Sequence, residues 1–162
     1  MRNLLKKRLW QLDKDYPTLV KWWEDWEFGI VPQECLPPDG VIIEYEGVPI
    51  CGAGLYIGVG TKFSFMEWLV VDKSAPMKQA HKAIKMCVDG VFELAKQKDM
   101  TLVFTTTKDT GLQKRYVKYH DMTLAESQVQ TFLKNLTDDQ YDDLEWIIDE
   151  EQYWIREGEK SG

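Results

Sequence analysis

The chain has no long uninterrupted apolar run, because charged residues break up its apolar stretches. A membrane-spanning helix needs about 20 mostly apolar residues, so none is predicted. The basic N-terminal stretch, residues 1–17, lacks the continuous apolar centre and the small-residue cleavage site of a signal peptide. These absences together predict a soluble, cytoplasmic protein without a membrane partner.

Cysteine and histidine are also scarce. The three cysteines, Cys35, Cys51 and Cys87, are an odd number without C-x-x-C spacing, which is typical of reduced thiols rather than of a disulfide framework. The two histidines, His81 and His120, do not stand at the spacing of metal ligands. We therefore expect neither a disulfide nor a metal site.

Acidic residues outnumber basic ones only at the C-terminal end of the chain. The net charge is −7, but residues 137–162 hold ten acidic and two basic residues, whereas residues 1–136 hold 17 and 18. The 162 residues suit a domain over residues 1–136 with an acidic helical extension over residues 137–162. A capping box at Thr137 and Gln140 predicts that a helix over residues 137–157 begins there.

Three interpretations of this extension stay open: a solvated face, a lid that attracts a cationic amine, or a contact with a partner or a second copy in a homodimer. Direct nucleic-acid binding by so acidic a segment is electrostatically unfavourable. The basic clusters at residues 2–8 and 108–118 leave a nucleic-acid acceptor open for the rest of the chain.

The patterning predicts an α/β (α+β) domain with a mixed, mostly antiparallel central sheet, a β-α-β unit and flanking helices. Residues 3–13 fit either a strand or a helical turn, and the proline-containing residues 30–40 fit an ordered loop. Asp15 is predicted as the N-cap of the first helix and Gly29 as its stop. Helices are predicted over residues 16–27, 78–98 and 112–119, and strands over residues 41–45, 48–56, 63–71, 101–106, 122–126 and 128–133.

The most informative stretch is the strand at residues 63–71 followed by a basic turn and a long helix. The first N–H groups of a helix have no partner within the helix, and the helix dipole adds positive charge there, so this arrangement favours an anion. Lys73, Lys78, Lys82 and Lys85 surround the turn, although lysines on a solvated helix face are common. Residues 73–88 contain no glycine. A phosphate-bearing ligand is thus indicated, with a weaker signal than a glycine-rich loop would give.

Two polar residues are candidates for acid–base chemistry. Glu67 stands mid-strand between Met66 and Trp68, where a charge is disfavoured, and apolar surroundings would raise its pKa and suit it to accept a proton. The alternative is that Glu67 faces solvent. Tyr116 could protonate a leaving group, or it could simply pack its ring against the sheet.

Tryptophans are concentrated in the first helix. Three of them fall within five positions, so they cannot all face one core, and at least one is expected to be exposed or to cover a ligand. Trp23 and Trp68 are predicted walls of a substrate pocket, with packing on the sheet as the alternative.

The order of the elements resembles that of the GNAT superfamily of acyl-CoA-dependent N-acyltransferases over about residues 4–136. MEWLVVDKS is similar to the family's central strand, and KRYVKYHDM resembles its tyrosine-bearing helix, with Tyr116 at the tyrosine position. The best match to the family's pyrophosphate turn is Lys78-Gln79-Ala80-His81-Lys82-Ala83, which keeps only the last small residue and is therefore degenerate. The tryptophan-rich KWWEDW resembles some phage-encoded members, which would place the protein in a host cytoplasm.

The resemblance implies acetyl-CoA as cofactor and direct transfer of an acyl group, most often acetyl, to a primary amine in a ternary complex. It implies that Glu67 is the base and Tyr116 the acid. The backbone of Leu69, Val70 and Val71 would bind the pantetheine arm, and the backbone N–H groups of residues 79–83, with Lys78 and Lys82, would bind the phosphates. Two alternatives stay open: a non-catalytic binding or virion-associated protein, and an enzyme that modifies a nucleobase amine.

Overall fold

The computed structural model describes residues 4–137 and shows a five-stranded sheet with a helix on one face and two helices on the other. Strand order in the sheet follows chain order, with three antiparallel pairings and a parallel β4–β5 pairing. This confirms the predicted mixed, mostly antiparallel sheet with a β-α-β unit. The elements are β1 Leu5–Leu9, α1 Leu12–Asp25, β2 Asp39–Tyr45, β3 Val48–Ile57, β4 Phe63–Val71, α2 Met77–Gln97, β5 Leu102–Phe104 and α3 Thr110–His120.

The N-terminal residues form an edge strand, and α1 begins earlier than predicted. The prediction of Asp15 as N-cap is wrong, because the helix already starts at Leu12 and its cap position is Gln11. Asp15 is 2% exposed, and its two carboxylate oxygens each accept a hydrogen bond of 2.8 Å from Arg8. One of them also accepts the Gln11 N–H at 2.7 Å. The Asp15 carboxylate therefore joins β1 to the first turn of α1.

The chain leaves α1 through a residue in the left-handed conformation that follows the helix. That residue is Glu27, with φ of 60°, rather than the predicted Gly29. The N–H of Glu27 donates to the carbonyl of Glu24 at 3.0 Å, and the N–H of Phe28 donates to the carbonyl of Trp23 at 2.8 Å. This pair of hydrogen bonds is the Schellman motif, which satisfies the last carbonyls of a helix and usually has glycine at the left-handed position.

Two apolar clusters fill the spaces on the two faces of the sheet. On one face, α2 and α3 pack on the inner strands through fully buried residues such as Cys87, Val88 and Val91. On the other face, α1 packs through Leu19 and Trp22. The ring of Trp10 lies across β2 and β3 in this second cluster, so close that a Cβ at Gly40 would lie 2.2 Å from it and one at Gly54 would lie 2.5 Å from it.

β4 is irregular in its second half. Its register with β3 passes from Gly54 opposite Glu67 to Gly52 opposite Val70, so that one residue of β3 faces both Trp68 and Leu69. Trp68 has φ of 64°, a conformation that a bulky residue adopts only under constraint. The strand therefore contains a β-bulge, a feature that redirects side chains and leaves one residue outside the ladder.

β4 and β5 diverge after a short parallel pairing. Phe63, Ser64 and Phe65 pair with Leu102, Val103 and Phe104. Beyond Phe65, β4 continues to Val71 without a β5 partner. The prediction of a strand over residues 101–106 is therefore too long, because the chain leaves the sheet at Thr105 and the threonine side chains turn to other partners.

No strand follows β5 within the described residues, so the predicted closing strands over residues 122–126 and 128–133 are wrong. The chain leaves α3 through Asp121, which has φ of 53°. After it, only Met122 packs against the core, whereas Phe132 is 82% exposed and Leu136 is 88% exposed. A strand needs a pairing neighbour and a buried face, and this segment has neither. Residues 138–157 of the predicted acidic helix lie outside the described residues.

Candidate active site

A cavity of about 390 Å³ opens where β4 and β5 diverge. The end of α1 and the loop after it contribute Trp23, Glu27 and Phe28 to its lining. The bulge of β4 contributes Glu67, Trp68 and Leu69. The chain after β5 contributes Thr105, Thr106 and Thr107, and α3 contributes Tyr116. The structure thus brings Glu67, Tyr116, Trp23, Trp68 and Leu69, all singled out in the sequence, into one cavity.

Glu67 is half-buried at the start of the bulge. Burial raises the pKa of Glu67 to about 7, against the lowering effect of a hydrogen bond with the Thr106 side chain. A carboxylate loses more hydration on burial than a carboxylic acid does, which is why the neutral form is favoured. Glu67 can therefore accept and release a proton near neutral pH, as a general base must.

Tyr116 lies buried in α3, with its ring 6.3 Å from that of His120. Glu67 and Tyr116 both line the cavity. The pKa of Tyr116 is raised to about 12, chiefly by burial and to a smaller extent by the Glu67 charge, and a hydrogen bond with the Thr105 side chain opposes this rise. Tyr116 consequently keeps its proton at neutral pH and acts as a hydrogen-bond donor.

The two predicted tryptophan walls are held firmly. The indole N–H of Trp68 donates to the Tyr56 hydroxyl at 2.8 Å, and that hydroxyl donates to the Cys35 carbonyl at 2.6 Å. Trp23 is 3% exposed and meets the Tyr16 ring edge to face at 6.4 Å. Both rings therefore serve as rigid walls rather than as mobile covers.

The open edge of β4 carries backbone groups that no strand pairs. Asp72 N–H donates to the Ile50 carbonyl on the β3 side, and successive peptide groups of a strand point to opposite edges. Val71 therefore directs its N–H and C=O to the open edge, and Val70 directs its own to β3. Leu69 lies in the bulge, where it is paired with no residue of β3 or β5. The expectation for Val70 needs correction, because its backbone faces β3 and its side chain is 4% exposed in the α1 cluster.

The exposed Trp26 already uses one of these groups, because its indole N–H donates to the Val71 carbonyl at 2.7 Å. Lys73 lies over the Trp26 ring, 5.1 Å from its centroid, and donates to the Asp25 carbonyl at 3.4 Å. The end of α1 is thereby attached to the end of β4.

The first turn of α2 offers fewer free amides than the sequence suggested. Because the helix begins at Met77, the N–H of Ala80 already donates to the Pro76 carbonyl at 2.9 Å, and later amides bond within the helix. The expectation of free amides over residues 79–83 is thus wrong beyond Gln79. Ala83 is fully buried in the core. The amides free to bind an anion are those of Met77, Lys78 and Gln79.

The basic side chains near this turn are not equally available to an anion. Lys78 and Lys82 are exposed, whereas Lys85 is paired with Asp89 at 2.7 Å. The His81 ring contacts the Arg115 guanidinium of α3. Sequence reasoning missed Arg115, whose contact depends on how α3 packs against α2.

Among residues 4–137, no group of three or more histidine, cysteine or acidic side chains is arranged to hold a metal ion. No helix in the same range is long and apolar enough to span a membrane.

Solved structures with this fold include several acetyltransferases. An aminoglycoside acetyltransferase, meta-AAC0020, from an uncultured soil metagenomic sample, solved with sisomicin, shares 18% identity at a TM-score of 0.61, over 83% of this chain and 98% of that chain. Rv2747 from Mycobacterium tuberculosis, solved in complex with CoA, shares 16% identity at a TM-score of 0.59, over 78% of this chain and 76% of that one.

N-acetylglutamate synthase from Neisseria gonorrhoeae, solved with coenzyme A and L-arginine, shares 15% identity at a TM-score of 0.58, over 72% of this chain and 27% of that one. No protein-family model and no curated protein sequence matches the chain. The protein therefore shares its fold with these acetyltransferases.

Proposed function

We propose that the protein is an N-acetyltransferase that uses acetyl-CoA and acts on a primary amine. The observation that carries this proposal is the cavity at the divergence of β4 and β5. It holds a carboxyl group that titrates near neutral pH, a buried phenol and unpaired backbone groups of β4. The likeness in fold to acetyltransferases supports the same assignment.

The residues present fit coenzyme A. The backbone groups of Leu69 and the Val71 N–H suit the amide-containing pantetheine arm, which can pair with a strand edge as a neighbouring strand would, whereas the Val71 carbonyl already accepts from Trp26. The free amides of residues 77–79 suit a phosphate, since a helix N-terminus favours an anion. Lys78, Lys82 and Arg115 add positive charge beside them. When bound, acetyl-CoA supplies an acetyl thioester, whose C–S bond breaks as the C–N bond to the amine forms.

The chain's own groups divide the remaining work. Glu67 takes the proton that the attacking amine must lose and passes it to solvent. The Leu69 N–H, in the bulge, stabilises the negative charge that develops on the carbonyl oxygen.

Tyr116 donates a hydrogen bond to the departing sulfur. A phenol with a pKa of about 12 is a poor acid toward a thiolate, whose ordinary pKa is about 8.5, so this role is narrower than complete proton transfer.

Binding and turnover of acetyl-CoA test the proposal. Calorimetry should show saturable binding, and release of free thiol in the presence of amines should show turnover. Replacing both Lys78 and Lys82 by Gln should weaken binding several-fold, whereas Lys96→Gln, at the opposite end of α2, should not. No binding at millimolar acetyl-CoA would instead favour a non-catalytic binding protein.

A further inference from the structure

The charged residues that line the cavity are all acidic. Two carboxylates, Glu27 and Glu67, line it, and none of the described lining residues is a lysine, arginine or histidine. This contrasts with the nearby start of α2, where Lys78, Lys82 and Arg115 lie. The two ends of the opening therefore favour ligand parts of opposite charge, an anion at α2 and a cation in the cavity.

Glu27 has an unusual backbone for its residue type. It occupies the left-handed position of the Schellman motif, with φ of 60°, where a side chain costs about 1 kcal/mol relative to glycine. Its neighbours Trp26 and Phe28 stack with ring centroids 6.1 Å apart, which fixes the local chain direction. The structure thus holds the backbone of an acidic residue at the rim of the cavity at some expense of stability, which is a feature of functional positions.

Aromatic faces and hydroxyl groups complete the lining. Trp23, Phe28 and Trp68 contribute aromatic rings, which attract cations through their negative faces. Thr105, Thr106 and Thr107 contribute hydroxyl oxygens that can accept hydrogen bonds from an ammonium group. The cavity, of about 390 Å³, has the size of small-molecule sites.

We propose that the acceptor carries a second positive charge besides the amine that is acylated, and that Glu27 and the aromatic walls bind this second charge. The ligand class is a small diamine or polyamine-like molecule. Glu67 takes the proton from the reacting amine, whereas Glu27 remains paired with the ammonium that does not react. The proposal rests on the proposed acyl transfer for the identity of the reacting amine, but the binding of the second charge can be measured without it.

A matched series of five-carbon amines tests the class. The probes are 1,5-diaminopentane, 5-amino-1-pentanol and 5-aminopentanoate, which share a primary amine and differ in the charge of the other end. Binding is measured by calorimetry without acetyl-CoA at pH 6, where Glu67, with its pKa of about 7, is mostly protonated and Glu27 provides the charge. We expect the diamine to bind about tenfold more tightly than the alcohol, and the carboxylate to bind most weakly.

Glu27→Gln and Glu24→Gln form the variant pair. Both remove one negative charge from an exposed residue near the end of α1, but only Glu27 lines the cavity. Glu27→Gln should abolish the preference for the diamine over the alcohol, and Glu24→Gln should preserve it. Equal binding of the three amines, or equal effects of the two variants, would overturn the proposal.

The same series separates this proposal from the proposed function. If the diamine binds through Glu27 but no thiol is released from acetyl-CoA, the ligand class stands and acyl transfer fails. If the alcohol and the diamine are acetylated with equal kcat/KM, acyl transfer stands and the ligand class fails.

Discussion

Asp15 and Glu67 are both withdrawn from solvent, and their pKa values shift in opposite directions. Burial raises the pKa of Asp15, but the hydrogen bonds from Arg8 and from the Gln11 N–H, with the Arg8 charge, outweigh it, and the net pKa is below its ordinary value. Burial also raises the pKa of Glu67, and only the Thr106 hydrogen bond opposes it, so the pKa reaches about 7.

The difference follows from where each carboxylate lies. Asp15 lies where β1 meets α1, and a guanidinium satisfies both of its oxygens. Glu67 lies where β4 has lost its β5 neighbour, beside a cavity. The first carboxylate stabilises the fold by remaining charged, and the second is available for chemistry because its charge is disfavoured.

The largest expected effect is the loss of catalytic activity in the Glu67→Gln variant. The amide keeps the shape of the side chain but cannot accept a proton, so kcat should fall about 10² to 10⁴-fold with little change in acetyl-CoA affinity. In the unsubstituted protein, kcat/KM should rise with pH through about 7, and the variant should lose this dependence. A variant with undiminished turnover would remove Glu67 from the mechanism.

Asp15→Asn should have the largest effect on stability. It removes the charge that accepts two hydrogen bonds from Arg8 and leaves the guanidinium with only the longer 3.4 Å pair to Glu44, so the free energy of unfolding should fall by about 3 kcal/mol at neutral pH. Urea unfolding measures this loss, with Lys21→Gln as a control that breaks only an exposed pair. Because the pKa of Asp15 is lowered on folding, its contribution is present above the ordinary value of 3.8 and lost as the pH falls. A change within the error of the control would show that the pair is not stabilising.

The pH dependence of stability should have the opposite sign at Glu67. Its pKa rises from 4.5 to about 7 on folding, so its contribution is fully present below 4.5 and is lost as the pH rises through 7. The free energy of unfolding of Glu67→Gln, measured relative to that of the unsubstituted protein, should therefore rise by about 1 to 3 kcal/mol between pH 5 and pH 9. Thermal unfolding at the two pH values measures this gain, and a constant difference between the two proteins would contradict it.

The smallest effect concerns the backbone of Glu27. Glycine adopts its left-handed conformation without strain, so Glu27→Gly should raise the free energy of unfolding by about 1 kcal/mol. Glu24→Gly, within α1, should lower it by a similar amount, because glycine is unfavourable inside a helix. Urea unfolding of both variants checks the pair, and a destabilised Glu27→Gly would show that the side chain contributes more than the strain removes.

Sequence reasoning reached the sheet order and the candidate residues because strong local patterns carry them. The strands predicted over residues 41–45 and 48–56 are joined at Glu46 and Gly47, whose φ values of 50° and 81° suit a tight two-residue hairpin turn. The isolated glutamate in β4 likewise stood out against its apolar neighbours. Each of these signals lies within a few residues of the feature that it predicts.

The errors concern features set by contacts between distant segments. Asp15 resembles an N-cap in sequence, but Arg8, seven residues earlier, binds its carboxylate. The strand after α2 ends at Phe104 because Thr105 and Thr106 interact with Tyr116 and Glu67. The left-handed conformation of Glu27 was missed because such a position without glycine leaves no mark in the sequence.

The hydrogen bond from Trp26 to the Val71 carbonyl makes the two halves of the opening dependent on each other. Trp26 precedes Glu27 at the rim of the cavity, and Val71 ends the edge that suits the pantetheine arm. If a ligand at the end of α1 alters this hydrogen bond and thereby changes the affinity of the edge for a second ligand, the second ligand changes the affinity for the first by the same factor. The order in which two ligands enter such an opening would change the path of assembly but not the energy of the completed complex.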